Sequence, residues 1–393
     1  MPTAILELDL EHIPDEVTGV ERYGHALILI RYKGRPVGKV QVPIACGKIS
    51  NADLREPLVK ASLDTLWKEW LYDSLSWKDP CDAGFPPPQA TVAVCTRDRP
   101  EDMRRCLDAL IRMPDDGQEY LVIDNCPSTE ATRTLVGHYE RVRYVREDYP
   151  GESAARNRAL REAKYDIVAF TDDDAVPDPG WLRALVRNFD DPRVLCVTGL
   201  VMPFELEFEA QEWFEKYSGF GRGFSRKVLD GANCNRFAVA SAGASVSMAL
   251  HRKVLACVSA FDEALGVGTR TRSGCDHELF FRILARGYKI VYEPEALSWH
   301  RHRRTWEETR KTFYAYGVGV YAFWTRSLLV EKEFGVFRVG WAWFYGSQFP
   351  NLIRSLLRRP GSVPLNLLLA ELKGCLVGPW AYLLSRQKTR TRQ

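Results

Sequence analysis

Residues 166–174, DIVAFTDDD, place three adjacent aspartates directly after a short apolar run. The run has the length and composition of a buried strand, so Asp172, Asp173 and Asp174 are expected where that strand ends. Three neighbouring carboxylates repel one another unless a cation or hydrogen-bond donors compensate their charge. Carboxylate oxygens suit Mg²⁺ or Mn²⁺, which also bind phosphate oxygens. The stretch predicts a metal and diphosphate site; the alternative is a solvated acidic turn.

Strands and helices alternate around this stretch from residue 90 onward. TVAVC, EYLVID and VRYV are apolar strands, a helix is predicted from about Pro100 to Ile111, and further helices cover STEATRTLVGHYE and GESAARNRALREAK. This alternation predicts an α/β fold with a doubly wound, mostly parallel sheet. Ligands of such sheets bind at the carboxyl ends of the strands. We therefore expect Thr96 and Asp124 on the same rim as the acidic triplet.

The flanking regions have a different pattern. Residues 1–85 are predicted to form a small N-terminal α+β accessory unit, with a hairpin around Lys33-Gly34-Arg35 and a helix from about Pro57 to Leu75. Pro86-Pro87-Pro88 predicts a stiff linker to the main domain, residues 90–304. Residues 305–393, rich in Trp, Phe, Leu and Arg, are predicted to form a helical extension.

Composition excludes several classes of protein. With 46% hydrophobic and 27% charged residues the chain is expected to fold, and a net charge of +3 argues against a nucleic-acid partner. The ten cysteines form no CxxC pair, which favours reduced thiols over a zinc site. No signal peptide is recognised, and Arg338, Glu371 and Lys373 interrupt the apolar stretches before they reach the roughly 20 residues that span a bilayer. A cytoplasmic location is therefore expected.

Eight segments follow one another over about residues 90–303: CTRDRPEDMRRCLDAL, LVIDNCPST, PGESAARNRALREA, FTDDDAVPDPGWL, SVSMALHR, FDEALG, SGCDHELFFRILARGY and YEPEALSWH. These segments resemble glycosyltransferase family 2 and occur in that family's order. The resemblance implies a GT-A fold, a nucleotide-sugar donor, a divalent metal and, usually, inversion at the anomeric carbon.

The resemblance assigns the nucleotide side of the site to four residues ahead of the triplet. Thr96 and Arg97 fall where the family's first strand meets the nucleoside. Asp124 falls where a carboxylate accepts from the base, which suits a uracil N–H; as an alternative, Asp-Asn starts turns readily. Arg156 matches the family's Ala-Arg-Asn helix and is expected to reach the base or diphosphate, although an exposed helix arginine is the commoner role.

Within the triplet, the resemblance implies that Asp172 meets the ribose and Asp174 the metal. Asp173 serves either or supports the turn. His300 matches a histidine that completes the metal shell or touches the diphosphate, with a structural histidine as the alternative. Three nearby arginines are also candidates for phosphate binding: Arg301, Arg303 and Arg304.

Asp276 is the candidate general base, because an acceptor hydroxyl needs a group to take its proton. It begins the amphipathic run HELFFRILARG, and a helix N-cap is its alternative role. Two positions depart from the family pattern on the acceptor side: Cys275 stands where Glu is common, and Ser247 where the acceptor-side loop often has Asn. These changes either alter the acceptor or abolish transfer.

Two further segments have two interpretations each. Residues 217–234, YSGFGRGFSRKVLDGANC, form either a lid over the site or a plain surface loop. Residues 334–359, FGVFRVGWAWFYGSQFPNLIRSLLRR, combine apolar residues with arginines, as membrane-interfacial helices do, and the basic tail SRQKTRTRQ suits anionic lipid. A helical core followed by a solvated tail is the alternative.

The resemblance, together with these patterns, implies an inverting, metal-dependent transferase that moves a sugar from a nucleotide-diphosphate sugar, with UDP favoured, to a hydroxyl of a glycan or lipid-linked saccharide. A membrane surface on the cytoplasmic side is a further expected partner. A sugar nucleotidyltransferase would need a glycine-rich loop where this chain has CTRDRP, and a dehydrogenase would need GxGxxG there. A degenerate nucleotide-sugar-binding protein without turnover stays open.

Overall fold

Fourteen β-strands and twelve α-helices lie within the residues that the computed structural model describes, 2–75, 89–237 and 239–390. The strands are β1 Thr3–Asp9, β2 Glu16–Val17, β3 His25–Tyr32, β4 Arg35–Pro43, β5 Ile49–Ser50, β6 Ala90–Thr96, β7 Glu119–Asn125, β8 Val142–Glu147, β9 Ile167–Asp172, β10 Ala175–Pro177, β11 Val194–Pro203, β12 Lys227–Leu229, β13 Ser247–His251 and β14 Lys289–His300. The helices are α1 Asn51–Ser74, α2 Pro100–Ile111, α3 Ala131–Val136, α4 Glu152–Glu162, α5 Trp181–Val186, α6 Glu209–Ser218, α7 Val254–Cys257, α8 Cys275–Ala285, α9 Trp306–Val330, α10 Gly335–Trp343, α11 Phe349–Leu356 and α12 Leu365–Arg390. A π-helical turn, Phe344–Gln348, joins α10 to α11.

The N-terminal strands form a three-stranded sheet in the order β1-β3-β4, and the predicted hairpin connects β3 to β4. Helix α1 begins at Asn51, so the prediction of a start near Pro57 was wrong. Leu54 and Leu58 are fully buried against this sheet, and their burial extends the helix ahead of the proline. The predicted linker at residues 86–88 lies outside the described residues.

The main sheet has nine strands, eight of them in the order β8-β7-β6-β9-β13-β11-β14-β10. Strands β6, β7, β8 and β9 run parallel to one another, while β13 runs antiparallel to both β9 and β11. The long strand β14 pairs with β11 in parallel, and β12 and β10 pair with its two halves in antiparallel. The predicted α/β, mostly parallel sheet is confirmed.

Strand register brings the predicted site residues to one rim. Thr96 lies opposite Asp124 in the β6–β7 pair, and Asp172 lies next to Cys95 in the β6–β9 pair. The β10–β14 pair sets Ala175 opposite His300, which places His300 beside the last aspartate of the triplet. The rim thus follows from parallel pairing of strands that end in polar residues.

Helices cover both faces of the main sheet. On one face α2 and α5 contribute Leu107 and Trp181 to a buried cluster. On the other face Phe280 of α8 shares a cluster with Phe323 of α9 and Tyr382 of α12. The C-terminal helices therefore extend the same core, and the division into three units stays a prediction.

The N-terminal sheet also packs against the main sheet. Leu29 of β3 shares a buried cluster with Leu200 of β11 and Leu297 of β14. Arg31 donates a hydrogen bond to Asp178 at 2.5 Å. Apolar packing and an ion pair thus join the two sheets.

The helical extension begins with a capping box, in which Thr305 accepts from the Glu308 backbone and the Glu308 carboxylate accepts from the Thr305 backbone. Helices α9 and α12 then meet at glycines. A Cβ on Gly317 would lie 2.1 Å from the Glu371 carbonyl oxygen, and one on Gly374 would lie 2.2 Å from that of Tyr314. Only glycine permits this separation of the two helices.

Helix α12 corrects the expectation that no apolar stretch is long enough to span a bilayer. By length and composition alone this helix could cross a bilayer: its mean hydropathy is 1.4 over an 18-residue window. The protein buries 44% of that window. Leu376 and Trp380 lie on its exposed side. Glu371 and Lys373, the two charges predicted to interrupt the apolar stretch, both lie within this helix.

Candidate active site

The acidic triplet lies where β9 ends and β10 begins, with Asp173 and Asp174 almost fully buried. Asp173 accepts hydrogen bonds from the Thr96 hydroxyl at 2.7 Å and from Arg99 at 3.2 Å. Thr96 thus reaches the predicted rim, where its hydroxyl orients an acidic side chain. The nucleoside contact predicted for Thr96 stays a prediction.

Asp172, Asp174 and His300 form a group that can hold a metal ion. Their ligand atoms all lie within 4.8 Å of one another, and His300 Nε2 is 3.3 Å from Asp174 Oδ1. Two carboxylate oxygens and an imidazole nitrogen are donors that a Mn²⁺ or Mg²⁺ site can combine with phosphate oxygens. The residues present therefore fit the divalent cation that the sequence predicts.

Charge within the triplet is only partly compensated. Burial and the nearby charges of Glu152 and Asp174 raise the pKa of Asp172 to about 7. Burial and the charge of Asp174 raise the pKa of Asp173 to about 6. Burial also acts to raise the pKa of Asp174, but His300, Arg303 and Arg99 outweigh it and hold that pKa well below its usual range. A cation would stabilise the ionised triplet.

Two arginines flank Asp174 and keep two-fifths of their side chains exposed. Arg99 and Arg303 donate to it at 3.3 and 3.4 Å. The Arg301 side chain pairs instead with Asp102, and that of Arg304 with Glu205, so Arg303 is the one predicted arginine whose guanidinium contacts a carboxylate of the triplet among the described residues. Sequence reasoning missed Arg99, although it lies in the CTRDRP segment.

A chain of buried polar contacts runs from His300 into the N-terminal sheet. His300 Nδ1 is 3.3 Å from His302 Nδ1, and His302 Nε2 is 3.1 Å from Glu215 Oε2. Lys39 of β4 donates to Glu215. A polar partner on the second ring nitrogen of a metal-binding histidine fixes the orientation of its ring, and His302, itself held by Glu215, is that partner for His300. His300 is the one member of this chain of contacts that was predicted from the sequence.

Asp124 is fully buried at the end of β7, as predicted. One carboxylate oxygen accepts from the Tyr144 hydroxyl at 2.9 Å, while Oδ1 has no hydrogen-bond partner. Burial raises the pKa of this carboxyl. A buried acceptor without a partner is costly, so a ligand N–H would be stabilising here. Arg97 lies nearby on the exposed loop, where its nearest ion-pair partner is Asp98 at 3.7 Å.

Arg156 is buried with 2% of its surface exposed, unlike an ordinary helix arginine. Its guanidinium lies 2.5 Å from Glu152 and 3.7 Å from Asp172, and contacts the Cys275 sulfur at 3.4 Å. It also donates to Ser245 at 3.0 Å. Internal partners therefore occupy this side chain, and a contact with base or diphosphate stays a prediction. The Arg156 side chain lies between Asp172 of the triplet and Cys275 at the start of α8.

Asp276 lies in the first turn of α8 and is half-buried. Gly274 occupies the N-cap, so the alternative that Asp276 caps the helix was wrong. Oδ1 accepts from the His277 backbone at 2.8 Å, which leaves Oδ2 available to a substrate hydroxyl. Although burial acts to raise the pKa of Asp276, the charges of His277 and Arg156 lower it. The carboxylate is therefore ionised, as a base must be.

The two departures from the family pattern have different structural outcomes. Burial and the charge of Glu152 raise the pKa of the Cys275 thiol, so a neutral group stands where Glu is common. Glu152, rather than residue 275, provides the carboxylate that pairs with the buried Arg156 guanidinium. Ser247 does not lie in a loop: it is buried in β13, accepts from Trp181 at 2.8 Å and donates to the Ala296 carbonyl at 3.1 Å. That expectation was wrong, because β13 begins earlier than its sequence indicates.

Residues 217–234 are tied to the main sheet at several points. Strand β12 pairs with β14, and Tyr292 accepts from the Arg222 backbone at 3.2 Å. The Phe220 ring lies 5.2 Å from the His300 ring. This segment therefore forms a wall of the candidate metal site, and closure as a lid stays a prediction.

The mostly parallel sheet with an acidic strand end, a group of side chains that can hold a metal ion, and a carboxylate at a neighbouring helix start are the features that the resemblance to glycosyltransferases predicts. Residues 91–255 match the family described as Glycosyl transferase family 2. The prediction drawn from its eight segments is confirmed, and the domain is that of a transferase.

Curated relatives share this domain. The pre-mycofactocin glycosyltransferase of Mycobacterium tuberculosis is 29% identical over 230 residues, covering 57% of this chain and 45% of that relative. The O-antigen chain rhamnosyltransferase RfbN of Salmonella typhimurium is 24% identical over 233 residues, covering 58% of this chain and 70% of that relative. The chain thus spans about half the length of the first relative.

A solved structure also resembles this one. The mannosyltransferase of Pyrobaculum calidifontis, in complex with GDP-Man and Mn²⁺, gives a TM-score of 0.47 at 19% identity and covers 82% of this chain and 80% of that one.

Proposed function

We propose that this protein is an inverting glycosyltransferase that moves a sugar from a UDP-linked donor to the hydroxyl of a glycan or lipid-linked saccharide. One observation carries the proposal. Arg156 contacts both Asp172 of the candidate metal group and Cys275, the neighbour of Asp276, so a metal-binding carboxylate and a free carboxylate flank one buried guanidinium. This arrangement suits a donor and an acceptor held side by side.

On the donor side, Asp172, Asp174 and His300 would hold Mg²⁺ or Mn²⁺. When bound, such a cation neutralises the charge that develops on a departing diphosphate. Arg99 and Arg303 are exposed beside Asp174 and can donate to the same phosphate oxygens. Asp124 would accept from the N–H of the base through its unpartnered oxygen.

On the acceptor side, Asp276 would take the proton from the attacking hydroxyl as the new bond to the anomeric carbon forms. Glu152, another carboxylate near Arg156, is paired with that arginine and is therefore less available as a base. A single base opposite a metal-held leaving group fits direct displacement, which inverts the anomeric configuration. A second carboxylate acting as a nucleophile would instead retain it.

A screen of nucleotide-sugars for metal-dependent hydrolysis tests the donor assignment. We expect slow release of UDP from a UDP-sugar in the presence of Mn²⁺ or Mg²⁺, and none after chelation. GDP- and TDP-sugars serve as matched competitors. If calorimetry detects no divalent-ion-dependent binding of any nucleoside diphosphate, the proposed donor site is wrong.

A nucleotide-sugar-binding protein without turnover is the second candidate, because Cys275 replaces the usual Glu. The contact between Glu152 and Arg156 argues against it, since a neighbouring carboxylate fills that electrostatic role. The name of the Salmonella relative, an O-antigen chain rhamnosyltransferase, supports a glycan acceptor. Turnover with any acceptor separates the two candidates.

We also propose that the protein acts at the cytoplasmic face of a membrane as a peripheral protein. Phe337 and Trp341 of α10 are 64% and 67% exposed. Replacing both with Ser should weaken binding to phosphatidylglycerol vesicles by about tenfold or more, because each loses apolar burial. Leu63→Ser on α1, also at an exposed apolar position, is the control. Co-sedimentation measures the effect, and equal losses in both variants would contradict the assignment.

A further inference from the structure

A cavity of about 650 Å³ opens between α6 and the C-terminal helices, apart from the acidic triplet. Its size is that of a small-molecule site. Charged, amide and aromatic side chains together line it: Trp213, Tyr217, Trp343, Gln348, Arg354 and Arg359.

Two of these side chains carry uncompensated positive charge. The guanidinium groups of Arg354 and Arg359 make no hydrogen bond or ion pair with any described residue, and both are exposed. Residues 334–370 contain no aspartate or glutamate. Glu371, the first acidic residue after this stretch, accepts a hydrogen bond from Gln348 at 3.1 Å. Burial raises the pKa of that carboxyl, while the hydrogen bond from Gln348 acts to lower it. An anionic group is the complementary ligand.

Gln348 supplies an independent observation. It is 4% exposed and lies in the cavity wall, and its Oε1 is a buried acceptor without a hydrogen-bond partner. It ends the π-helical turn Phe344–Gln348, a local geometry often found at functional sites. An unpaired buried acceptor calls for a donor, such as a ligand hydroxyl.

The cavity adjoins an exposed apolar surface. Ile353, directly before Arg354, is 41% exposed, and Leu357, three residues after Arg354, is 60% exposed. Phe349, one turn before Ile353, is 44% exposed. Inside the cavity Trp213 stacks on Tyr217 with ring centroids 4.6 Å apart. A ligand with a charged, hydroxylated head and an apolar chain would match both surfaces.

Helix α9 both lines the cavity and contacts the segment that leads into α8. Phe313 of α9 lines it and contacts Tyr316 at a ring distance of 6.1 Å. The neighbouring Ala315 carbonyl accepts from Ser273 at 2.9 Å, three residues before Asp276. One helix thus connects the cavity wall to the candidate base.

We propose that this cavity binds the phosphate-bearing head group of an amphiphile, whose chain lies on the exposed apolar surface of α11. Arg354 and Arg359 contact the phosphate, and Gln348 accepts from a hydroxyl of the attached sugar. The inference rests on the proposed function, since it makes the acceptor a phosphate-linked lipid saccharide rather than a free glycan.

Calorimetry on the full chain tests this site with farnesyl phosphate as the probe, and with inorganic phosphate and farnesol as the two half-probes. We expect the whole probe to bind more tightly than either half. The double variant Arg354→Gln, Arg359→Gln should weaken its binding by about tenfold to a hundredfold, because charge-assisted contacts are lost. The matched double variant Arg338→Gln, Arg358→Gln removes the same charge outside the cavity and should change binding by less than about twofold.

Each other outcome overturns the proposal. Inorganic phosphate binding as tightly as farnesyl phosphate would identify a free phosphate site instead. Equal losses in the two double variants would identify a diffuse charged surface. UDP with Mn²⁺ is titrated on the same samples: if UDP binds and farnesyl phosphate does not, this inference fails while the proposed function stands. The reverse result would remove the proposed donor site and leave the cavity site.

Discussion

Replacing Asp276 with Asn should lower the rate of sugar transfer by about a hundredfold to ten-thousandfold, the usual contribution of a general base. The amide keeps the size of the side chain and its contact with the His277 backbone, but it cannot take a proton from the acceptor. Binding of UDP with metal should be unchanged, because Asp276 does not belong to the group of metal-binding residues. Steady-state kinetics and UDP titration measure the two effects separately.

The control for this variant is Asp190→Asn, an exposed aspartate remote from the rim. We expect its transfer rate and thermal midpoint to match the unmodified protein, since surface substitutions have small effects. Full turnover in Asp276→Asn would exclude Asp276 as the base. A loss of UDP binding in that variant would indicate a structural role for Asp276 instead.

Replacing Asp174 with Asn should lower metal-dependent UDP affinity by about a hundredfold or more, because a carboxylate ligand and its charge are lost. We expect the large effect because Asp174 is central to the site: its carboxylate contacts His300, Arg99 and Arg303. Calorimetry with UDP at fixed Mn²⁺ measures the effect, and chelation of the unmodified protein should give the same loss.

A stability measurement separates this role from a folding defect. Asn at position 174 removes one of three adjacent negative charges, which relieves repulsion but also breaks ion pairs. A folded variant with an unchanged circular dichroism spectrum and lost UDP binding supports the metal assignment. Unchanged metal-dependent binding in a folded variant would show that Asp174 is not a ligand.

The rim of the site was predictable because it depends on local rules. Buried parallel strands that end in polar residues place these residues at one edge of the sheet. Thr96, Asp124 and Asp172 all lie at that edge. His300 joined them through the β10–β14 pairing. The resemblance supplied its role, since one histidine in a long apolar strand has no signal of its own.

Contacts between distant segments could not be predicted in the same way. Glu215 meets His302 across 87 positions of the sequence, and Lys39 meets Glu215 across 176. Such pairs depend on how the N-terminal sheet packs against the main sheet, which no local pattern encodes. The start of α1 was missed for a related reason, because burial of Leu54 overrides the proline signal.

The N-terminal segment reaches the candidate metal group through a series of buried contacts. They run from Lys39 through Glu215 and His302 to His300. An isolated catalytic fragment beginning at β6 would lack the ammonium group at the far end of that series. Glu215 would then face the paired imidazoles with no cation behind it. Through these contacts the N-terminal sheet helps to orient the His300 imidazole of the candidate ion-binding group. We therefore expect a fragment without this sheet to hold His300 less firmly.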